Sequence, residues 1–198
     1  YDGSLLKFDL QNNFKLNREL GLLAGVETEE ESGSSDFYSE NAFGPYEADF
    51  SDRSARTSGY FAQLQLTDLQ GFSSALGVRA DHHSQAGSEV TYRIAPTYYY
   101  EKTGTKLSAS AGSGFKAPSL FQLYSSYGSP DLEPEKSIGV DAGLEQELSG
   151  GRLAAGCTYF HNDFENLISF DPGTFLYSNI SEAVSSGVET YLRARLTD

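Results

Sequence analysis

Residues 60–67 read Tyr-Phe-Ala-Gln-Leu-Gln-Leu-Thr, so that Tyr60, Ala62, Leu64 and Leu66 share one side of an extended chain and Phe61, Gln63, Gln65 and Thr67 the other. A strand with one apolar and one polar face gives this period of two, because successive side chains point to opposite sides. The same parity continues in both directions. Upstream it places Leu6, Phe8 and Leu10 in one apolar row and Leu20, Leu22, Ala24 and Val26 in another. Downstream, the rows are Leu76, Val78 and Ala80; Val90, Tyr92, Ile94, Pro96 and Tyr98; Leu107, Ala109 and Ala111; Ile138, Val140, Ala142 and Leu144. Leu153, Ala155, Cys157 and Tyr159, then Val188, Thr190, Leu192, Ala194 and Leu196, complete the pattern. Helical spacing is scarce, and the chain is predicted to be all-β, with about nine strands of some 9–11 residues.

The connections alternate as regularly as the strands. Short turns at Leu16–Glu19, Thr67–Gly71, Lys102–Thr105 and Ser149–Gly151 interleave with longer segments at Glu29–Ser58, His82–Ser88, Phe115–Lys136 and Asn162–Ser186. In an antiparallel meander every second connection lies at the same end, so one end carries tight hairpins and the other elaborate loops. Transmembrane β-barrels have that asymmetry.

The polar side of the rows is small and glycine-spaced: Gly77, Thr91, Ser108, Ser110, Gly112, Gly139, Gly143, Gly156 and Thr158. Such a face suits a wide lumen better than the water-facing side of a soluble sandwich. Tyr98, Tyr99 and Tyr100 precede a short turn and Tyr159 and Phe160 a long loop, where interfacial aromatic girdles are expected. The predicted fold is an antiparallel up-and-down meander, a segment of a large transmembrane β-barrel; a secreted β-sandwich binding module for glycans and a passive porin are the alternatives. Register follows from parity: with Gly114 opposite Ser137, Lys106 lies opposite Glu145, and a cross-strand ion pair is expected there.

Composition excludes several other classes. Hydrophobic residues make up 38% of the 198, and no run approaches the roughly 18 apolar residues of a spanning helix. Acidic side chains number 28 against 14 basic, a net charge of −14, so the clustered positive field that nucleic acid requires is missing. A single cysteine, Cys157, rules out an internal disulfide. There is no methionine, and with ends at Tyr1 and Asp198 this fits an internal piece of a longer protein.

From Ser113 onward the chain reads SGFKAPSLFQLYSSYGSPDLEPEKS, then YFHNDFENLISFDP and LYSNISEAVSSGVE. This resembles the TonB-dependent outer-membrane receptors, most closely the cobalamin and siderophore type. Lys116-Ala117-Pro118, the segment Phe121–Tyr124 and Asp131-Leu132-Glu133-Pro134-Glu135-Lys136-Ser137 carry the likeness. The resemblance implies a bacterial outer-membrane barrel of about twenty-two strands. It also implies an N-terminal plug and energy-coupled uptake of a scarce nutrient, with the TonB system as partner through that plug. Residues 1–198 would then be a partial barrel domain, the plug and remaining strands lying outside the sequence. Outer-membrane lipid and a small-molecule ligand, a metal chelate or cobalamin, are the other partners implied; no cofactor, resident metal or enzymatic activity is expected. Parity and loop asymmetry reach the same barrel without using the family. In the loop, Pro130 and Pro134 fix φ and end pairing, while Glu133, Glu135 and Lys136 bring charge to a strand entry.

Other motifs carry less. Gly112-Ser113-Gly114-Phe115-Lys116-Ala117 has dinucleotide-loop spacing, but Pro118 follows and no helix is expected to open there. The acidic stretch of Glu27, Glu29, Glu30 and Glu31 with Asp36, Glu40, Glu47, Asp49 and Asp52 offers oxygen ligands but lacks EF-hand spacing, and reads as a solvated loop. His82 and His83 are adjacent and should point to opposite sides. With His161 they are the only histidines, and no nucleophile elbow accompanies them. Asp163 and Glu165 allow no spacing argument for paired-carboxylate chemistry. Cys157 lies on the apolar row and is expected to face lipid, inert. Ligand contact is assigned to Tyr124, Tyr127, Phe164, Phe170, Tyr177 and Asn179, aromatic and amide groups in the two long loops of the recognised region.

Overall fold

The computed structural model describes residues 2–42 and 44–195. Nine strands are joined in chain order: β1 (Asp2–Lys15), β2 (Leu20–Asn41), β3 (Gly44–Leu69), β4 (Phe72–His83), β5 (Gly87–Tyr100), β6 (Thr105–Lys116), β7 (Glu135–Leu148), β8 (Leu153–Asp171) and β9 (Leu176–Ala194). They form one antiparallel sheet in the order β1 to β9, so the predicted meander is found, and among the described residues the two stacked sheets of a sandwich are not. All four short turns fall at one end of the sheet and all four longer connections at the other, as consecutive pairing of this kind requires.

Register confirms the parity reading. Leu22 pairs with Leu64, Leu64 with Leu76, Leu76 with Ile94, Ile94 with Ala111 and Ala111 with Val140, one apolar row running across six strands. Directly opposed residues share a face. Beyond their neighbours in the row these side chains are left open: Leu76, Ile94 and Val140 keep 55%, 43% and 42% of their surface exposed. Buried hydrophobic residues among the described ones are few (Phe50, Ala55, Leu120, Leu123, Leu132 and Ala154), so the sheet has no soluble-type core and its apolar face needs lipid. Cys157 is exposed on this face, opposite Leu144. Leu196, assigned to the last row, lies outside the described residues.

The inward face is built by large side chains lying across glycines. Gly25 opposes Phe61, Gly156 opposes Tyr191 and Gly187 opposes Phe160, and in each pair the ring occupies the space a Cβ on the glycine would take. Tyr191 thereby reaches over Gly156 to donate its hydroxyl to Glu145. Lys106 does lie opposite Glu145, and Gly114 opposite Ser137. The expected ion pair is replaced, however: Glu145 is engaged by Tyr191 and lies 4.0 Å from the Arg193 guanidinium. The girdle reading is also corrected in part. Strand alternation sends Tyr98 outward with Leu107 but Tyr99 inward, where its hydroxyl donates to Glu147 (3.4 Å), and Phe160 turns inward over Gly187 while Tyr159 faces out.

Two of the expected loops prove to be strands. β2 and β3 remain paired from Leu20–Leu66 up to Asn41–Gly44, with one register shift near Gly33–Ser35, and β8 and β9 remain paired up to Asp171–Leu176. These hairpins extend well past the apolar band. Beyond it both faces of a strand meet water, so the apolar alternation that marks a strand in sequence disappears although the ladder continues.

A single charge separates the two faces. Val78→Arg on the outward row is expected to cost about 2–4 kcal/mol of folding free energy in lipid, as charges do near the bilayer midplane. Gln63→Arg on the neighbouring inward row should leave stability nearly unchanged. Urea unfolding of the intact protein in vesicles, read by tryptophan-independent tyrosine fluorescence and electrophoretic mobility, measures both; equal effects would contradict the face assignment.

Candidate functional site

Between β6 and β7 the chain leaves the sheet at Pro118, which is buried and cannot continue the ladder. A short helix, α1 (Leu120–Tyr124), follows, against the expectation that none opens after Pro118. Ser119-Leu120-Phe121-Gln122 is a capping box: the Ser119 hydroxyl accepts from the Gln122 amide (3.2 Å) and the Gln122 side chain accepts from the Ser119 amide (2.9 Å). These reciprocal bonds occupy helix amides that a phosphate would need.

The helix is held against β3. Leu120 is buried with Phe50 and Ala55, Tyr124 packs beside them, and the Arg53 guanidinium lies 4.6 Å from the centre of the Tyr124 ring. The Tyr124 hydroxyl donates to Gln85 in the β4–β5 turn (2.9 Å). Ala55 lies on the same side of β3 as Gly59 and Phe61, the inward face, so this loop leans from β6 across to β3 on the lumen side.

The second half of the loop is fastened to the β8–β9 hairpin. Asn179 accepts the Glu133 amide (2.9 Å) and donates to the carbonyls of Glu133 (2.9 Å) and Asn166 (2.6 Å). Asn166 in turn donates its side-chain amide to the Glu133 carboxylate (2.9 Å). Glu135 accepts the Ile168 amide (3.0 Å) and pairs with Lys116 (3.1 Å), and Lys136 pairs with Glu89 on β5. Glu133, Glu135 and Lys136 of this element therefore reach four strands, β5, β6, β8 and β9.

Above the clasp, rings meet edge to face. Phe170 lies 5.9 Å from Tyr127, 5.7 Å from Tyr177 and 6.3 Å from Phe175, and Phe121 lies 6.2 Å from Tyr177 and 6.4 Å from Phe50, centre to centre. The Tyr177 amide donates to the Tyr127 carbonyl (2.8 Å), fixing one loop to the other. Of the residues assigned from sequence, Tyr127, Phe170 and Tyr177 are brought together here and Tyr124 stands at the far side of α1. Phe164 lies lower on β8, half-buried between Ser137 and Ala183. Asn179 is close by, but its amide is committed to the clasp. Sequence reading missed Phe50, Phe121 and Phe175 as members of the ring group and Arg53 and Gln85 as partners of Tyr124. The Ser119–Gln122 capping box was the one local signal for α1.

The acidic stretch forms ion pairs along the strands. Glu27 bridges Lys7 (2.9 Å) and Arg79 (3.1 Å), Arg79 also binds Asp81 (2.7 Å), and Glu30 binds Arg56 (2.7 Å). Among the described residues no three His, Cys, Asp or Glu side chains converge as a metal site; the Glu47 side chain lies outside the description. His82 and His83 do diverge. His82 bonds Ser88 (2.8 Å), whereas His83 is buried and its Nδ1 accepts the amides of Gln85 (3.2 Å) and Ala86 (3.0 Å). His161 bonds Asp163 (3.2 Å).

A family model described as TonB dependent receptor-like, beta-barrel matches residues 1–197. The chain belongs to this family of TonB-dependent receptor β-barrels. Its fold matches the siderophore receptor PirA from Acinetobacter baumannii with a TM-score of 0.80 at 18% identity, covering 99% of this chain and 35% of that one. A mutant of the ferric enterobactin receptor PfeA from Pseudomonas aeruginosa matches with a TM-score of 0.77 at 24% identity, over 100% of this chain and 34% of that one. The copper transporter OprC gives 0.77 at 17%, over 98% and 35%. The chain thus spans about a third of the length of these proteins. In a TonB-dependent receptor barrel the ring group and its clasp fall at the end of the sheet that carries the long hairpins.

Two outcomes check this construction. Asn179→Ala removes two hydrogen bonds between the loop and the β8–β9 hairpin and one within the hairpin, and should make residues 117–134 of the folded protein cleavable by protease at a rate at least tenfold above the parent; an unchanged rate would show that the clasp does not hold the loop. His83, at the outer end of β4, has its pKa pushed below the ordinary value of 6.5, first by burial and then by repulsion from His82. A lowered folded-state pKa means that the stability held by neutral His83 is full above about 6.5 and lost as pH falls through the lower folded value. The protection factors of the Gln85 and Ala86 amides, their exchange rates corrected for the intrinsic pH dependence, should therefore fall on acidification below pH about 6.5. The same amides in His83→Gln should lack that dependence.

Proposed function

We propose that this chain supplies part of the wall and several outer loops of a bacterial outer-membrane receptor that takes up a scarce nutrient, a siderophore–metal chelate or cobalamin. Uptake draws on the TonB system through a plug region outside the sequence, and residues 1–198 are a partial barrel domain. The role is binding and passage, with no chemical step assigned to any side chain.

The observation that carries this reading is the edge-to-face group of Phe121, Tyr127, Phe170, Phe175 and Tyr177, held above a lipid-facing sheet by a polar clasp. Aromatic faces with a few fixed polar groups bind ligands of mixed polarity at small cost in side-chain entropy. Tyr124, Tyr127, Phe170 and Tyr177 are the proposed contacts; Phe164 lines the wall beneath them and Asn179 holds the loop that presents them. A metal chelate is favoured over cobalamin, because the similar structures are named as siderophore and copper proteins.

Cells carrying the intact protein provide the test. Radiolabelled ferric chelates should bind at the surface and enter only while the proton gradient is intact. Phe170→Ala with Tyr177→Ala should weaken surface binding at least tenfold, the loss typical of removing aromatic anchors. Entry that persists after the gradient is collapsed would overturn energy-coupled uptake.

A further inference from the structure

The β4–β5 turn connects a buried imidazole to the helix of the long loop. His83 is buried, and its Nδ1 accepts the backbone amides of Gln85 (3.2 Å) and Ala86 (3.0 Å). Only a neutral ring can do this, because a charged imidazole carries a proton on both nitrogens and accepts nothing. Ser84 ties the same turn to β3: its amide donates to the Arg56 carbonyl (2.9 Å) and its hydroxyl accepts the Arg56 amide (3.0 Å). Gln85, whose amide His83 holds, then accepts the Tyr124 hydroxyl of α1 on its side-chain oxygen (2.9 Å). A single residue is thus gripped by the imidazole through its backbone and grips α1 through its side chain.

The charged groups around His83 already have other partners. In register, His83 lies between Thr57 of β3 and Gly87 of β5, and Glu29 of β2 lies beyond Thr57 in the same row. Asp81, two residues earlier on β4, lies opposite Glu89 of β5. Glu29 is near Lys7 (3.6 Å), Asp81 binds Arg79 (2.7 Å), Glu89 binds Lys136, and Arg53 of β3 lies over the Tyr124 ring. His82 turns away to Ser88. Among the described residues no carboxylate is bonded to His83, so a proton there would be buried without a counter-ion while facing two amide donors. We propose that His83 is an acid-sensitive latch: neutral, it holds the β4–β5 turn in the shape that binds Tyr124; protonated, it releases the turn and with it the hold on α1. The pKa of His83 is depressed from 6.5, so the latch is closed above that value and opens as pH falls through the lower folded-state value. The latch joins only the turn and the loop; its consequence for a ligand rests on the uptake reading, in which Tyr124 is a contact.

The Leu123 and Ser125 amides donate within α1, to Ser119 (3.0 Å) and Phe121 (3.1 Å), and report on its hold. Their protection factors in the intact protein in detergent, measured by hydrogen exchange between about pH 7.5 and 4.5, test the latch. In the parent they should fall by about three- to tenfold on acidification, the contribution of one hydrogen bond, together with those of Gln85 and Ala86. His83→Gln, whose side-chain oxygen accepts without titrating, should keep α1 protection constant across the range. Gln85→Ala leaves the backbone bonds of the turn and removes the tie to Tyr124, so α1 protection should be low at every pH while Ala86 still responds to acid; Tyr124→Phe, lacking only the hydroxyl, should behave alike. Acid loss at Leu123 and Ser125 that persists in His83→Gln, or constant α1 protection in the parent while the turn opens, would overturn the latch. Chelate binding that keeps its strength while α1 loosens would instead overturn Tyr124 as a contact and leave the latch standing.

Discussion

Backbone hydrogen bonding in a medium without water is the constraint on which this structure depends. A peptide group left unpaired in hydrocarbon costs several kcal/mol, so every strand must find a neighbour on each side. The eight consecutive antiparallel pairings of the nine described strands meet that demand within the sheet and pass it to the outer edges of β1 and β9. Once the ladder is fixed, side-chain direction follows. Even-numbered residues of β4 go to lipid and odd-numbered ones to the lumen, and everything else is arranged around that division.

The division explains why glycine and bulk alternate on the inward face. Phe61, Phe160 and Tyr191 each lie flat over a glycine on the next strand, so large side chains cover the wall without projecting far into the lumen. It also explains the loop. The 117–134 segment buries Leu120, Leu123 and Leu132 and is pinned at both ends: Leu120 against Phe50 and Ala55, Glu133 and Glu135 against the β8–β9 hairpin. The aromatic group is thus presented by rigid strands through a small set of hydrogen bonds.

Much of this was legible in the sequence because lipid on one side and a polar lumen on the other impose a period of two. The rows through Leu64, Leu76 and Val140, and the Lys106–Glu145 register, were readable for that reason. The outer parts of β2 and β3 were not, since Glu29, Glu30 and Glu31 meet water on either face and leave no apolar signal. The helix escaped a search for helical spacing because five residues make little more than one turn. Its capping box was visible, whereas its docking on Phe50, roughly seventy residues away in the chain, was not. The ring group had the same difficulty: Tyr127, Phe170 and Tyr177 could be chosen as loop aromatics, but Phe50 joins them only through the extended hairpin. The substitution of Tyr191 for Lys106 as partner to Glu145 depends on the missing side chain at Gly156, a three-strand effect that pairwise register cannot express.

The central claim is that one face of this sheet meets lipid and the other does not. Nitroxide labels placed one at a time along Phe72–His83 of the intact protein in bilayers measure it directly, through relaxation by oxygen and by a water-soluble nickel chelate. The account predicts alternation with period two, oxygen dominating at Ser74, Leu76, Val78 and Ala80 and the nickel reagent or immobilisation at Ala75, Gly77 and Arg79. Uniform accessibility along the strand, or alternation with the opposite phase, would contradict it.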